Sequence, residues 1–410
     1  MVIVLVAMLV RIALLFYFRT WQFADARDHY AFGYETGSVA ASLARGHGFA
    51  SPFGGGVYTG PTAWLAPLYP SMVALVFRLF GVFSAASAIT VLAINSAFSS
   101  LTCLTISAIG KRVFSRTVGL CSAWIWALVP FFARWPITWV WETALAALLL
   151  SWLFLITLKL DSLQRKGWLA LGAVWALTAL SCPSVLGFLP FSLLYPVWKL
   201  RSQWQRAALR MVEAGLLFAV LISPWIVRNY VVFGKPVFLR GNYWFEFSLS
   251  NYHGSNGAAW SGGHPALNPS HLRRYAEIGE LAFVAERKAQ AFQFVREHRG
   301  EFAALVGKRV LNFWDGGELM YESPDDPFKP WMLALTSLIA GAGLWLGLRR
   351  HVPGMMAFLG LFVLYPIPYY LTYVNPRYRH PIEPMMVVLT GYLFVETWRW
   401  VTGGAQKKTS

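Results

Sequence analysis

Trp139-Val140-Trp141-Glu142 runs directly into Thr143-Ala144-Leu145-Ala146-Ala147-Leu148-Leu149-Leu150, and the apolar run continues to Leu158 before Lys159 interrupts it. A segment that opens on one acid, closes on one lysine and has no charge between them reads as a membrane-spanning helix. Similar runs recur near residues 2–18, 66–82, 87–109, 118–134, 168–181, 183–198, 211–227, 331–348, 354–372 and 382–400. Hydrophobic residues make up 57% of the chain and charged residues 13%, whereas soluble domains carry about a quarter charged residues. Mean hydropathy is +0.49. The expected fold is all-α, a polytopic transmembrane helix bundle with outer-face loops and juxtamembrane helices. A soluble protein with an unusually apolar core is excluded, because the runs repeat along most of the chain. The 20 Trp fit the aromatic belts of membrane boundaries.

The net charge of +16 is unevenly placed. Residues 228–327 hold 11 Lys+Arg and 11 Asp+Glu, so that region is neutral. The excess lies in short connectors such as Lys111-Arg112, Arg165-Lys166, Lys199 to Arg210 and Arg349-Arg350. Short basic connectors stay on the cytoplasmic side. The charge therefore reports topology, and no basic stripe marks a nucleic-acid partner. Loop 19–65, the Trp135–Glu142 corner, region 228–330 and loop 373–381 then fall outside. This alternation requires one apolar segment to stop short of crossing. The choice is 66–82, which is short, begins Pro67-Leu68-Tyr69-Pro70 and contains Arg78. Ten spans remain, with both termini inside, and the N-terminal run is read as a retained first span. Three parts follow: residues 1–227 with the first outer loop, the outer-face region 228–330, and the C-terminal helices 331–410. Pro183, with Ser181 and Ser184, predicts a broken hairpin between 168–181 and 183–198. Within 228–330, spacing predicts one helix over Arg274–His298, a break at Gly300, and a second helix along the membrane surface ending at Trp314. Cys103, Cys121 and Cys182 all lie in apolar runs and read as small core residues.

Acids near a bilayer are costly, so each needs a reason. Outside 228–327 there are eight. Asp161, Glu213 and Glu396 sit beside basic inner connectors. Asp25, Asp28, Glu35, Glu142 and Glu383 all fall on the expected outer side, which points to a site open to that face. Glu35 lies at the start of a short helix that ends at Arg45-Gly46-His47-Gly48. Complementing the helix dipole is an equally good reason for it, and the same holds for Glu142. Arg228, at an outer helix end after Pro224-Trp225, is explained equally well as an interface arginine. Arg377-Tyr378-Arg379-His380 places three cationic side chains in four residues on the outer side, against the positive-inside tendency. Guanidinium forks match phosphate oxygens. His253, His264 and His271 read as loop histidines without metal-ligand spacing.

The order of these pieces resembles the GT-C superfamily of membrane glycosyltransferases, in the branch of the protein O-mannosyltransferases and the lipid A aminoarabinose transferase. The matching residues are Glu35, Gly46-His47-Gly48-Phe49, Ala66-Pro67-Leu68-Tyr69-Pro70, Phe80-Gly81, Glu142, Pro224-Trp225 with Arg228-Asn229-Tyr230, and Arg377-Tyr378-Arg379-His380-Pro381-Ile382. The resemblance implies inverting transfer of a sugar from a polyprenyl-phosphate carrier to a glycan, lipid or protein acceptor at the outer face of the cell (inner) membrane. It implies Glu35 and Glu142 as catalytic residues, and Arg228, Arg377, Arg379 and His380 as lipid-phosphate ligands. Relatives often carry an Asp-Glu pair in the first loop. Here a single Glu35 follows Tyr34, which leaves the base open among Glu35, Asp28 and Asp25. The lysine common before the paired prolines is replaced by Ala66, so other cations must hold the phosphate. The C-terminal soluble domain of some relatives is expected to be lacking. With no Asp-x-Asp signature evident, transfer is expected to need no metal cofactor. A glycolipid transporter or a non-catalytic assembly subunit is the alternative.

Overall fold

The computed structural model describes residues 1–22, 32–54, 58–160, 164–317 and 330–406. Among these the chain forms helices and no strands, apart from one isolated antiparallel bridge between Ala50 and Pro61. The first run is α1 (Val2–Tyr17), and α2 (Glu35–Ala44) and α3 (Leu68–Phe80) follow it in the chain. α3 has 13 residues. At about 1.5 Å per residue it is shorter than the ~30 Å apolar core of a bilayer. Ser84 caps α4 (Ala85–Val113) by accepting the Ser87 N–H, and Ser115 caps α5 (Arg116–Leu128) through Val118. A Cβ on Gly119 would stand 2.4 Å from the Ser107 carbonyl oxygen. This glycine therefore lets α4 and α5 meet backbone to backbone.

The run 118–134, expected as one segment, is broken. α5 stops at Leu128, and α6 (Pro130–Thr138) departs at 52°. Pro130 has no N–H, and in a continuous helix its ring would collide with the carbonyl four residues back, that of Trp126. Arg11, fully buried in α1, takes the freed carbonyls. Its Nη2 donates to Trp126 O at 3.0 Å and its Nη1 to Ala127 O at 3.3 Å, while Nε donates to Ser99 Oγ at 2.9 Å.

After α7 (Thr143–Lys159), α8 (Arg165–Ala179) ends before a 3₁₀ turn over Pro183–Phe188, and α9 (Leu189–Lys199) completes the broken hairpin. α10 (Trp204–Phe233) packs on α8 and turns Leu209, Val212, Leu216, Val220 and Val231 outward. Residues 228–317 continue with α11 (Tyr243–Ser248), α12 (Pro269–Ile278), α13 (Glu280–Glu297) and α14 (Arg299–Asp315). The helix expected over Arg274–His298 is in fact two. Gly279, at φ +78, ends α12 in a conformation that side chains disfavour. The later break falls at His298, and Gly300 lies inside α14.

The C-terminal part holds α15 (Pro330–Arg349), α16 (Met355–Leu364), α17 (Ile367–Leu371), α18 (Pro376–Arg379) and α19 (Glu383–Gln406). α19 packs against α5 and α15. Among the described residues α4, α10 and α15 are long and apolar enough to cross a membrane, and the bent pair α5–α6 makes a fourth if it is one span. α1, α3, α7 and the stretch Met355–Leu371 are apolar but shorter.

The first loop and the 228–317 region share a core of their own, which includes Val39, Phe53, Trp64, Phe245, Tyr275 and Phe283. Glu280 is buried inside it. Its Oε1 accepts the Ala63 N–H at 2.9 Å, and its Oε2 accepts from Tyr275 at 2.9 Å and from the Thr62 hydroxyl. Three donors on one carboxylate pin residues 62–63 to the α12–α13 corner, which fixes the loop that leads into α3.

Candidate active site

Gly33 shapes one wall. It sits at φ +73, and a Cβ there would lie 2.4 Å from the Val140 carbonyl oxygen and 2.6 Å from Trp141 Cδ1. Only glycine allows the chain before α2 to press against the Trp139–Glu142 corner. Tyr34 follows at φ 43, a conformation costly for a side-chain-bearing residue. Glu35 then begins α2. A cavity of about 730 Å³ opens beside it, lined by Glu35, Arg134, Trp141, Glu142, Arg240, Glu246, His264, Tyr373, Arg377 and Tyr378, among others. That volume falls within the range of small-molecule sites. Glu35, Glu142 and Arg377 are thus brought together from three distant parts of the chain. Asp25 and Asp28, the other candidate bases, lie outside the described residues.

Glu35 Oε1 stands 3.1 Å from His264 Nε2. The Ala266 N–H donates to His264 Nδ1 at 3.2 Å, so in the neutral ring Nε2 carries the proton and donates to Glu35. Burial pushes the Glu35 carboxyl up, but the hydrogen bond and charge of His264, a backbone hydrogen bond and the Arg377 charge outweigh it and hold the group below its ordinary value. Burial pushes His264 down, and the hydrogen bond and charge of Glu35 more than reverse that. The Phe53 and Phe245 rings meet the imidazole edge-on, each with its centroid 5.5 Å away, and fix its plane.

Glu246, on α11, is the second carboxylate of interest. Asn242 Nδ2 donates to its Oε1 at 2.7 Å and Tyr373 to its Oε2 at 3.0 Å. Burial, and then the Glu35 charge, push its carboxyl up. Two carboxyl groups on one cavity are therefore shifted in opposite directions, a pattern that separates base from acid. From Glu246 the hydrogen bonds continue: Tyr378 donates to the Tyr373 hydroxyl at 2.9 Å, and Arg377 Nη2 donates to Tyr378 Oη at 3.1 Å. The Arg377 guanidinium lies 3.4 Å above the Trp141 ring, which stacks on Trp139 at 4.7 Å. Among the described residues the buried Arg377 Nε has no hydrogen-bond acceptor. Arg240 is anchored through Nε to Trp64 O at 3.1 Å and also faces the cavity.

The remaining cations expected at a lipid phosphate sit elsewhere. Arg228 donates to Thr62 O at 2.7 Å and Phe49 O at 2.8 Å, and its guanidinium lies 5.0 Å from the Trp225 ring centroid. It ties the first loop to α10. Arg379 and His380 are fully buried. Arg379 donates to Leu333 O at 2.8 Å, to Ser337 Oγ at 2.9 Å and to Thr336, and its Nε lies 3.5 Å from Glu383. His380 Nδ1 meets Glu383 Oε2 at 2.8 Å. Arg379 and His380, two and three residues after Arg377, point inward, so the sequence cluster divides into one cavity residue and two packing residues. Glu142 faces the cavity from the N-terminal end of α7.

Residues 65–227 match the family described as dolichyl-phosphate-mannose-protein mannosyltransferase. Over its whole length the chain superposes on AglB, an archaeal oligosaccharyltransferase from Archaeoglobus fulgidus in complex with an inhibitory peptide and a dolichol-phosphate. The TM-score is 0.54 and the identity 12%, across 100% of this chain and 51% of that one. The Archaeoglobus fulgidus oligosaccharyltransferase in its apo form gives a TM-score of 0.52 at 11% identity, across 99% of this chain and 52% of that one. The chain therefore shares its fold with the membrane part of this oligosaccharyltransferase match, at the level of backbone architecture. The chain spans about half the length of the oligosaccharyltransferase chains it matches. ArnT from Cupriavidus metallidurans, bound to undecaprenyl phosphate, is a looser likeness: TM-score 0.42, 13% identity, 96% of this chain and 77% of that one. No curated protein matches the chain in sequence.

Proposed function

We propose that the protein transfers a sugar from a polyprenyl-phosphate carrier to an acceptor hydroxyl, with inversion, at the non-cytoplasmic face of the cell membrane. The observation that carries this reading is the convergence of Glu35, hydrogen-bonded to His264, and Arg377, with a buried unpaired N–H, on one ligand-sized cavity in a fold shared with an oligosaccharyltransferase. In the proposed step the acceptor hydroxyl gives its proton to Glu35 as its oxygen attacks the anomeric carbon. The bond from that carbon to the phosphate oxygen breaks, and the carrier phosphate leaves with its charge balanced by Arg377 and Arg240. Glu142 and Glu246 line the same cavity, and the Trp141–Arg377 stack sets the orientation of the guanidinium. The sugar and the acceptor are to be identified by mass spectrometry of cell-envelope glycans with and without the gene. An unchanged glycan profile would sink the reading.

Substitutions at two positions test the parts. Arg377→Ala should weaken binding of undecaprenyl phosphate, measured by native mass spectrometry, about tenfold or more, since a charge-assisted hydrogen bond contributes ~1.5–3 kcal/mol. Unaltered lipid binding rejects the assignment. His264→Phe acts on Glu35. A base must be deprotonated, so transfer is lost as pH falls through the Glu35 value, which His264 helps to hold low. Without His264 the carboxyl rises, and the acidic limb of the pH–rate profile moves to higher pH. His264→Gln, which keeps a donor, should move it less. An acidic limb that stays in place for both variants removes His264 from the mechanism.

A further inference from the structure

We propose that His253, His298 and Glu301 form a zinc-type divalent metal site outside the cavity, which fastens the loop after α11 to the corner between α13 and α14. His253 belongs to that loop, His298 is the residue between the two helices, and Glu301 lies in the first turn of α14. Sequence spacing hides the set, because 45 residues separate His253 from His298, but the fold closes the gap. His253 Nδ1 lies 3.0 Å from Glu301 Oε2, and His298 Nδ1 lies 3.9 Å from the same oxygen. All three donor atoms lie within 4.8 Å of one another. A tetrahedral zinc with bonds of about 2.0–2.1 Å needs its ligand atoms about 3.4 Å apart. The observed separations bracket that value, so small side-chain rotations complete the geometry.

The surroundings suit a ligand set better than a simple ion pair. The Gly254 N–H donates to Glu301 Oε1 at 2.8 Å, which orients the carboxylate and leaves Oε2 toward the imidazoles. The two imidazoles stack at 4.6 Å with 21° between their planes. Phe294 backs the His298 ring at 5.6 Å. The His253 side chain is 76% exposed, so the fourth coordination position is open to water. The same loop runs on to Trp260, Ser261 and His264 on the cavity wall. Metal at this corner would therefore tether the segment that orients Glu35.

The test does not depend on the transferase reading. Full-length protein in detergent, stripped with EDTA, is titrated with Zn(II) by calorimetry. One Zn(II) per chain is expected, and His253→Ala, His298→Ala and Glu301→Gln should each weaken it by at least the order of tenfold seen when metal-site partners are lost. Thermal unfolding of each variant without metal is measured beside the parent, and Glu301→Gln, which keeps an acceptor for the Gly254 N–H, should stay close to it. In the parent, Zn(II) should also slow hydrogen exchange over residues 251–264. No binding, or binding that survives all three substitutions, overturns the site. Zn(II) binding that leaves exchange over 251–264 unchanged overturns the tether.

Discussion

Glu35→Gln is expected to abolish sugar transfer while leaving the protein folded. General-base catalysis contributes about 10²- to 10⁴-fold, and the substitution removes the base without removing its shape. The glutamine carbonyl oxygen still accepts the His264 Nε2–H, so the loop from Gly33 to α2 keeps its contacts. The envelope glycan carrying the transferred sugar should disappear, and the thermal midpoint should stay close to that of the parent. Glu142→Gln and Glu246→Gln run beside it as comparisons. Full activity in Glu35→Gln, with loss in one of the others, would move the base to that residue.

Arg379→Met is expected to damage stability rather than lipid binding. Arg379 and Glu383 are fully buried and lie 3.5 Å apart. Removing one partner of a buried ion pair typically costs about 3–5 kcal/mol, because the other charge is left uncompensated. Thermal unfolding in detergent should show a large drop. The double variant Arg379→Met/Glu383→Met should recover much of it, since neither charge then remains. If Arg379→Met instead keeps its thermal midpoint and loses undecaprenyl phosphate, Arg379 belongs with Arg377 at the carrier.

The helical bundle was legible because apolar runs and basic connectors are local signals that need no tertiary knowledge. The cavity's two outer acids were legible for a related reason: an acid flanked by apolar sequence stands out. Glu246 carries the same signal, between Phe245 and Phe247, but it is masked by the charge balance of residues 228–327. His264 left no trace in the sequence. It sits among glycines and serines, and its partner is 229 residues away. The division of Arg377 from Arg379 was equally hidden, because a short helix sends residues two apart in different directions. Gly279 is a visible helix breaker, yet the apolar spacing runs across it from Ile278 to Leu281, so periodicity merged two helices.

The bend between α5 and α6 has an effect well beyond its own position. α6 brings Arg134, Ile137 and Thr138 to the cavity, and its departure angle is braced by a guanidinium that belongs to the first helix. The N-terminal segment thus serves as a strut for a chamber it scarcely enters. Replacing Arg11 would release both carbonyls and so be felt at a chamber that this residue does not line.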